Sequence, residues 1–412
     1  MHRQHSIWTN PLALVIAGGV LMGVALGIRH TQGLFLIPIT MDRSWSREAF
    51  GFAIALQNLI WGVAQPFTGM VADRFGSAKV MAVGVASYTL GLFLMSGAAN
   101  PVGFTLSAGG LIGLGLSGTA IGAVYGALSR MIPPDRRSWA LGLAGAIGGL
   151  GQFTMVPLVQ SLIDTLGWAT ALVVLGTAMA ALLPLTFHFQ DRTSPTMAQD
   201  LHHSHLQQSM PAALKEAFSH RGFWLLSLGF FACGFQLAFI ASHLPSYLMD
   251  KGLGASDAVA GLAIIALTNV PGTYFCGHLG GLLRRKYLLS GLYIVRSAAM
   301  ILFVLSPLSS YSLYAFCAVA GFFWLGTVPL TNGLVSQVFG VRYVATLFGF
   351  VFFWHQLGSS LGVWLGGYVF DATRSYDLMW AGSILIGLVA AALHYPIDDR
   401  EIVRSPLAAG VA

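Results

Sequence analysis

The chain has 412 residues, of which 56% are hydrophobic and only 9% carry a charged side chain. Soluble domains carry about 25% charged residues, so this composition excludes a water-soluble globule and indicates a protein that lies mostly in lipid. The formal net charge is +6, and we attribute this excess to membrane topology rather than to nucleic-acid binding. The cysteines Cys233, Cys276 and Cys317 lie in apolar runs, without the spacing of a disulfide framework or a metal site.

The first half of the chain contains six apolar runs that are long enough to cross a bilayer, which takes about 20 mostly apolar residues. The first run starts near Pro11. It is too long for a signal-peptide core and no small-residue cleavage site follows it, so we expect a retained helix. The six predicted spans cover residues 11–40, 48–72, 79–99, 101–130, 139–163 and 167–189.

A polar stretch at residues 190–221 separates these spans from a second set. We interpret the stretch as a solvated cytoplasmic linker; a metal site formed by its cluster of His202, His203 and His205 stays open as the alternative. The second set covers residues 222–249, 256–281, 287–306, 310–336, 343–370 and 376–396. The sequence therefore predicts an all-α membrane protein of twelve transmembrane helices. An N-terminal six-helix half would occupy residues 1–189 and a C-terminal six-helix half residues 222–412.

The distribution of basic residues predicts the orientation of these spans. With the N-terminus in the cytoplasm, fifteen of the 21 Lys and Arg residues fall in cytoplasmic segments and four in external ones. This bias follows the positive-inside rule, and an odd number of spans would destroy it. We therefore predict a multi-pass protein of the cell membrane, which is the inner membrane in a bacterium, with both termini in the cytoplasm.

The second and eighth predicted spans share a pattern. Each has an asparagine near its middle, Asn58 or Asn269, then a glycine eleven residues later and a basic turn. In the second span this end resembles the signature between helices two and three of the major facilitator superfamily. The resemblance implies two six-helix halves around a central substrate site, and it implies a conformational role for the motif residues Gly69, Asp73, Arg74, Gly76 and Lys79.

Three further segments resemble the monocarboxylate transporter family and its bacterial relatives: Gly23–Phe35, Asp135–Gly145 and His355–Gly367. This resemblance implies a monocarboxylate substrate and places His30 at the family's cationic position in the first helix. The chain departs from the family's pattern in the eighth helix, where the family carries a substrate-binding arginine and this chain has Thr273.

Two arginines fall deep within predicted spans. Arg29 lies about eleven residues and Arg296 about ten residues from a span end, which is ~16 Å and ~15 Å at ~1.5 Å per residue. A charge at this depth costs roughly 2.5–3.5 kcal/mol on insertion scales. Every Asp and Glu falls in a loop or at a helix end, so we expect a transported anion to be the missing partner. Structural bonding of either arginine within the protein is the alternative.

The remaining candidates are polar residues at mid-span. A free histidine titrates near neutrality, so His30 or His355 could carry a coupled proton; a neutral, hydrogen-bonded histidine is the alternative at each position. Tyr125, Asn269 and Gln356 could line a cavity or could only join helices. The predicted substrate-binding set is Arg29, His30, Tyr125, Asn269, Arg296, His355 and Gln356.

These features predict a secondary active transporter that moves a small organic anion, and specifically a monocarboxylate, by alternating access with proton coupling as an option. The sequence contains no Gly-x-x-x-x-Gly-Lys-Ser/Thr loop, so an ion gradient would supply the energy. We expect no cofactor, no bound metal and no nucleic-acid partner. The alternatives are an efflux carrier for apolar or aromatic compounds, a membrane-embedded enzyme, and a sensor that transports nothing.

Overall fold

The structure is a computed structural model that describes residues 11–132, 134–190, 209–340 and 343–402. These residues form helices joined by short connections, with a short linker helix (Met210–Ser219) before the second half. The twelve long helical elements are α1 (Pro11–Arg43), α2 (Arg47–Phe75), α3 (Ser77–Ser96), α4 (101–131), α5 (Pro134–Leu166), α6 (Trp168–Phe189), α7 (Arg221–Asp250), α8 (Ala255–Leu282), α9 (Arg285–Leu305), α10 (Ser310–Phe339), α11 (Val344–Thr373) and α12 (Asp377–His394).

Ten of these elements are both long and apolar enough to cross a membrane. The other two, α2 and α11, contain 29 and 30 residues and so exceed the length that a span requires. Their amide and imidazole side chains lower their mean hydropathy, and both elements lie at the contact between the halves. The prediction of an all-α membrane fold with twelve spans is confirmed. The predicted histidine cluster of the linker lies outside the described residues.

Three of the predicted spans contain interruptions of the regular α-helix, a feature that the sequence analysis did not address. α1 stops being α-helical at His30, tightens into a turn at Gln32–Phe35 and resumes at Leu36–Arg43. α4 contains a wide turn at Thr105–Leu111 and a break at Ala120. α10 is interrupted between Phe322 and Thr327.

At the α4 and α10 breaks, side chains from neighbouring helices satisfy backbone groups that the break releases, as a lipid environment requires. The N–H of Leu325 in the α10 break donates to Oδ1 of Asn269 at 3.0 Å. The carbonyl of Ser117, which precedes the α4 break, accepts from Thr68 Oγ1 at 3.3 Å and Gln65 Nε2 at 3.4 Å. The breaks are therefore built into the packing of α2 and α8.

The two halves pack against each other through α1 with α7, α2 with α11, and α5 with α8. Glycine permits the close approach: a Cβ on Gly33 of α1 would lie 2.3 Å from the carbonyl oxygen of Ala241 in α7. Gly62 of α2 lies against Gln356 of α11 in the same way, and Gly149 of α5 lies against Val270 of α8. A side chain at any of these positions would force the atoms of the facing helix to shift.

We call the face of the molecule that carries the linker helix the linker face, and the opposite face the distal face. At the distal face Arg47 donates from Nη1 and Nη2 to the Asp250 carboxylate at 2.6 and 2.8 Å. The Asp371 carboxylate accepts from the backbone N–H groups of Arg47 and Glu48 at 3.3 and 2.7 Å. These residues, which we call the distal clamp, tie α2 to α7 and α11 and close this face.

Candidate functional site

Arg29 lies in the last turn of the first helical segment of α1, just before its break, and its side chain is half-buried. Its Nη2 donates to Oδ1 of Asn58 in α2 at 2.5 Å, and its guanidinium lies 5.1 Å from the centre of the Trp61 ring. Its Nε is buried and has no hydrogen-bond partner among the described residues. Neutral groups therefore hold this guanidinium, and its charge is left uncompensated.

His30 lies beside Arg29 but faces the other half of the protein. Its Nε2 is 3.1 Å from the carbonyl oxygen of Leu262 in α8, and its ring meets the Trp324 ring edge-on at 6.3 Å. A carbonyl oxygen only accepts, so Nε2 of His30 carries a hydrogen and donates it. His30 is 4% exposed, and this contact joins α1 to α8 across the interface.

Gln356 connects the two halves at the level of Arg29. Its Nε2 donates to the Asn58 carbonyl at 3.5 Å, and its Oε1 accepts from Nδ1 of His355 at 2.9 Å. The His355 ring stacks on Phe352, and its Nε2 is buried without a partner among the described residues. The structure thus brings Arg29, His355 and Gln356 into one chain of polar contacts through Asn58.

Arg296 lies inside the C-terminal half, and only 2% of it is exposed. Its Nη1 donates to Sγ of Cys233 in α7 at 3.4 Å, and its guanidinium lies 5.6 Å from the centre of the Tyr293 ring. Its Nη2 has no partner within the described ranges. Among the residues that the structure describes, neither Arg296 nor Arg29 forms an ion pair with a carboxylate.

Tyr125 and Asn269 make contacts of a different kind. Oδ1 of Asn269 accepts from Thr273 Oγ1 and from the Leu325 N–H, each at 3.0 Å, so this amide holds the break in α10. Half-buried Tyr125 packs against Gly145 of α5, where an added Cβ would lie 2.5 Å from the phenol oxygen. No contact in the described structure joins either residue to Arg29.

The motif Gly69, Asp73, Arg74, Gly76 and Lys79 spans the turn between α2 and α3. Gly76 has φ of 93° and ψ of 145°, a backbone conformation that glycine adopts readily and other residues avoid. Lys79 is exposed at the start of α3. The side chains of Asp73 and Arg74 lie outside the described part of the structure.

Two residues that the sequence analysis did not select contact the buried arginines: Trp61 lies beside Arg29, and Cys233 lies beside Arg296. Trp61 follows Asn58 by three residues, a spacing that puts both on one helix face beneath Arg29. That spacing could have identified it. Cys233 contacts Arg296 from a different helix, 63 residues away in sequence, and no local signal marks that pair.

Known proteins similar to this chain are membrane transporters and not enzymes. The profile of the Major Facilitator Superfamily matches residues 15–363. The uncharacterized MFS-type transporter YcxA of Bacillus subtilis (strain 168) is 26% identical over 390 residues, which cover 90% of this chain and 92% of the relative. The oxalate:formate antiporter of Oxalobacter formigenes is 26% identical over 391 residues, which cover 93% of this chain and 90% of the relative.

Human monocarboxylate transporter 11 is 26% identical over 383 residues, which cover 88% of this chain and 78% of the relative. The crystal structure of a bacterial homolog of the human lysosomal transporter Spinster superposes with a TM-score of 0.72 at 14% identity, and it covers 93% of this chain and 96% of that one. The profile match over most of the chain and the shared twelve-helix fold establish that this protein belongs to the major facilitator superfamily of multi-pass membrane transporters.

Proposed function

We propose that this transporter is a secondary active carrier of a small organic anion, with a monocarboxylate or dicarboxylate as its substrate. The observation that carries the proposal is Arg29, which lies deep in a span and is half-buried against neutral groups. A buried charge without a partner is costly, and a carboxylate arriving at this position would remove the cost. The names of two relatives, the oxalate:formate antiporter and monocarboxylate transporter 11, support an anionic substrate.

In this mechanism the planar guanidinium of Arg29 receives the substrate carboxylate through two parallel charge-assisted hydrogen bonds. Asn58 holds one edge of the guanidinium, and the Trp61 ring lies across it, so the free edge is oriented before substrate arrives. The hydrogen bonds of the substrate carboxylate then take the place of the hydration that the guanidinium loses when it is buried. Rocking of the two halves exposes this position alternately to the linker face and the distal face.

The other candidates have proposed supporting roles. Gln356 links Asn58 to His355 and would transmit substrate binding from one half to the other. Tyr125 and Asn269 would shape the cavity walls, Arg296 would add positive potential from the C-terminal half, and the α2–α3 motif would control the linker face. Both termini and the linker are proposed to lie in the cytoplasm, which makes the distal face external.

A role in moving a coupled proton is proposed for one of the two histidines of the predicted set. His30 already donates to a backbone carbonyl across the interface. His355 has a buried Nε2 without a partner among the described residues, so this nitrogen can accept a proton without breaking an existing bond. The geometry favours His355 over His30 for this role.

The test is uptake of labelled oxalate, formate and lactate into proteoliposomes, with and without a pH gradient. We expect the wild type to accumulate at least one of these anions and Arg29→Gln to lose accumulation. Arg43→Gln is the matched control, because Arg43 lies on the same span but forms its ion pair with Asp42 at the membrane surface. Equal uptake by Arg29→Gln and the wild type would refute the role of Arg29.

A second candidate, an efflux carrier for apolar compounds, is favoured by a crevice between α5 and α8. Its volume is about 310 Å³ and its lining is mostly apolar, including Leu150, Phe153 and Leu267. An apolar molecule could enter this crevice from the lipid without meeting Arg29. Expression that confers resistance to apolar drugs, together with no uptake of anions, would support this candidate over the anion carrier.

A further inference from the structure

Cys233 lies in a buried polar cluster of the C-terminal half, and the transport cycle proposed above gives this cysteine no role. Its side chain is fully buried. The Sγ atom lies 3.4 Å from Nη1 of Arg296 in α9 and 3.2 Å from Oγ1 of Thr327 in α10, and His355 of α11 lies beside it. Side chains of α9 and α10 therefore lie within hydrogen-bond distance of one sulfur atom.

The positive charge of Arg296 has no carboxylate counter-ion among the described residues. A guanidinium stays protonated in proteins, and Arg296 is 2% exposed without a carboxylate partner in the described structure. A neutral thiol is a weak acceptor and leaves the positive charge uncompensated. A thiolate at Cys233 would cancel that charge, and adjacent arginine and histidine side chains are the surroundings that favour a thiolate.

His355 provides a path for the proton. Its Nδ1 donates to Oε1 of Gln356, so in the neutral ring Nε2 holds a lone pair, and this atom is buried and without a partner in the described ranges. The other titratable groups in this region are Tyr293 of α9, whose ring centre lies 5.6 Å from the Arg296 guanidinium, and His394 of α12, which stacks on Tyr293 at 5.1 Å. A histidine ring carries either no charge or a positive one, and free tyrosine ionises only near pH 10, so these residue types do not supply the negative charge.

We propose that Cys233 is the proton-binding residue of this carrier: as a thiolate it is the counter-ion of Arg296, and it takes up the proton that accompanies the transported anion. The inference rests on the proposed function. In the loading step the sulfur lone pair forms the S–H bond, and the proton comes from Nε2–H of protonated His355, whose ring keeps the N–H electron pair. Arg296 is then left uncompensated, which raises the positive potential around the site and favours binding of the anion.

The first test measures the thiolate without transport. In a Cys276→Ala/Cys317→Ala variant, Cys233 is the sole remaining cysteine, and thiolate formation is followed by ultraviolet absorbance of the purified protein across a pH titration. We expect a thiolate signal at neutral pH that Arg296→Gln moves to higher pH. A thiol that stays protonated until the pH at which free cysteine ionises would overturn the inference, whatever the protein transports.

The second test compares two transport modes in proteoliposomes: uptake driven by a pH gradient, and anion exchange at equal pH. We expect Cys233→Ser to lower the ratio of gradient-driven uptake to exchange, and Cys233→Asp to restore it, because serine cannot ionise at neutral pH and aspartate can. Cys317→Ser is the control, since Cys317 is also fully buried but packs near Gly261. An unchanged ratio in Cys233→Ser would refute proton binding at Cys233, whereas the absence of any anion transport by the wild type would refute the proposed function.

Discussion

The distal clamp makes a quantitative prediction about the conformational equilibrium of the carrier. Arg47 forms two short bonds to Asp250, stacks on Phe370 at 3.8 Å from the ring centre, and donates to the Tyr376 hydroxyl at 3.1 Å. We consider the substitution Asp250→Asn, which removes the negative charge and keeps the shape. All of these contacts cross between the halves, so they exist only while the distal face is closed.

The magnitude follows from the burial of the pair. The side chains of Arg47 and Asp250 are 14% and 31% exposed, which places the pair between surface ion pairs, at about 0–1 kcal/mol, and buried pairs, whose disruption costs about 3–5 kcal/mol. A loss of about 2 kcal/mol is therefore expected. At 1.36 kcal/mol per tenfold change, it shifts the equilibrium toward the distal-open state by about 30-fold.

The assay is the distance between spin labels on Met41 and Leu378, which are exposed residues of opposite halves near the distal face. We expect Asp250→Asn to increase the population with long distances. The control is Asp42→Asn, which removes an equal charge from the Arg43–Asp42 pair at 3.6 Å within the N-terminal half. The same distance distribution in Asp250→Asn as in the wild type would refute the idea that the clamp stabilises the closed distal face.

Three further predictions concern other contacts of the fold. Asn269→Leu leaves the Leu325 N–H without its acceptor, so we expect a loss of about 1–3 kcal/mol, seen as a lower midpoint of thermal unfolding in detergent; an unchanged midpoint would contradict the role of this amide. Gly33→Val places a side chain against the backbone of α7, and we expect it to prevent closure of the distal face, with labels on the two halves staying far apart even when substrate is added. The Arg284 guanidinium lowers the pKa of the Asp399 carboxyl, so this pair should stabilise the fold above the pKa of the unfolded carboxyl. That contribution should be lost as pH falls through the lowered value, so Asp399→Asn should flatten the acid side of the stability profile measured by thermal unfolding.

The sequence by itself determined the class and much of the architecture. Length and hydropathy of the apolar runs specify spans because each run must cover the hydrocarbon layer, whatever its neighbours are. The same reasoning located Arg29 deep in the first span, since depth follows directly from residue count. Gly76 was identifiable in the α2–α3 motif, and its positive φ explains the residue through local backbone sterics alone.

Only the tertiary structure decided how these elements act together. The breaks in α4 and α10 depend on partners in other helices, such as the Asn269 amide that accepts from the Leu325 N–H. The partner of Arg296 proved to be Cys233, and the clamp joins Arg47 to Asp371 across 324 positions of sequence. Such contacts are specified by the packing of two six-helix halves, and hydropathy and local spacing carry no information about which distant side chains that packing brings within hydrogen-bond distance.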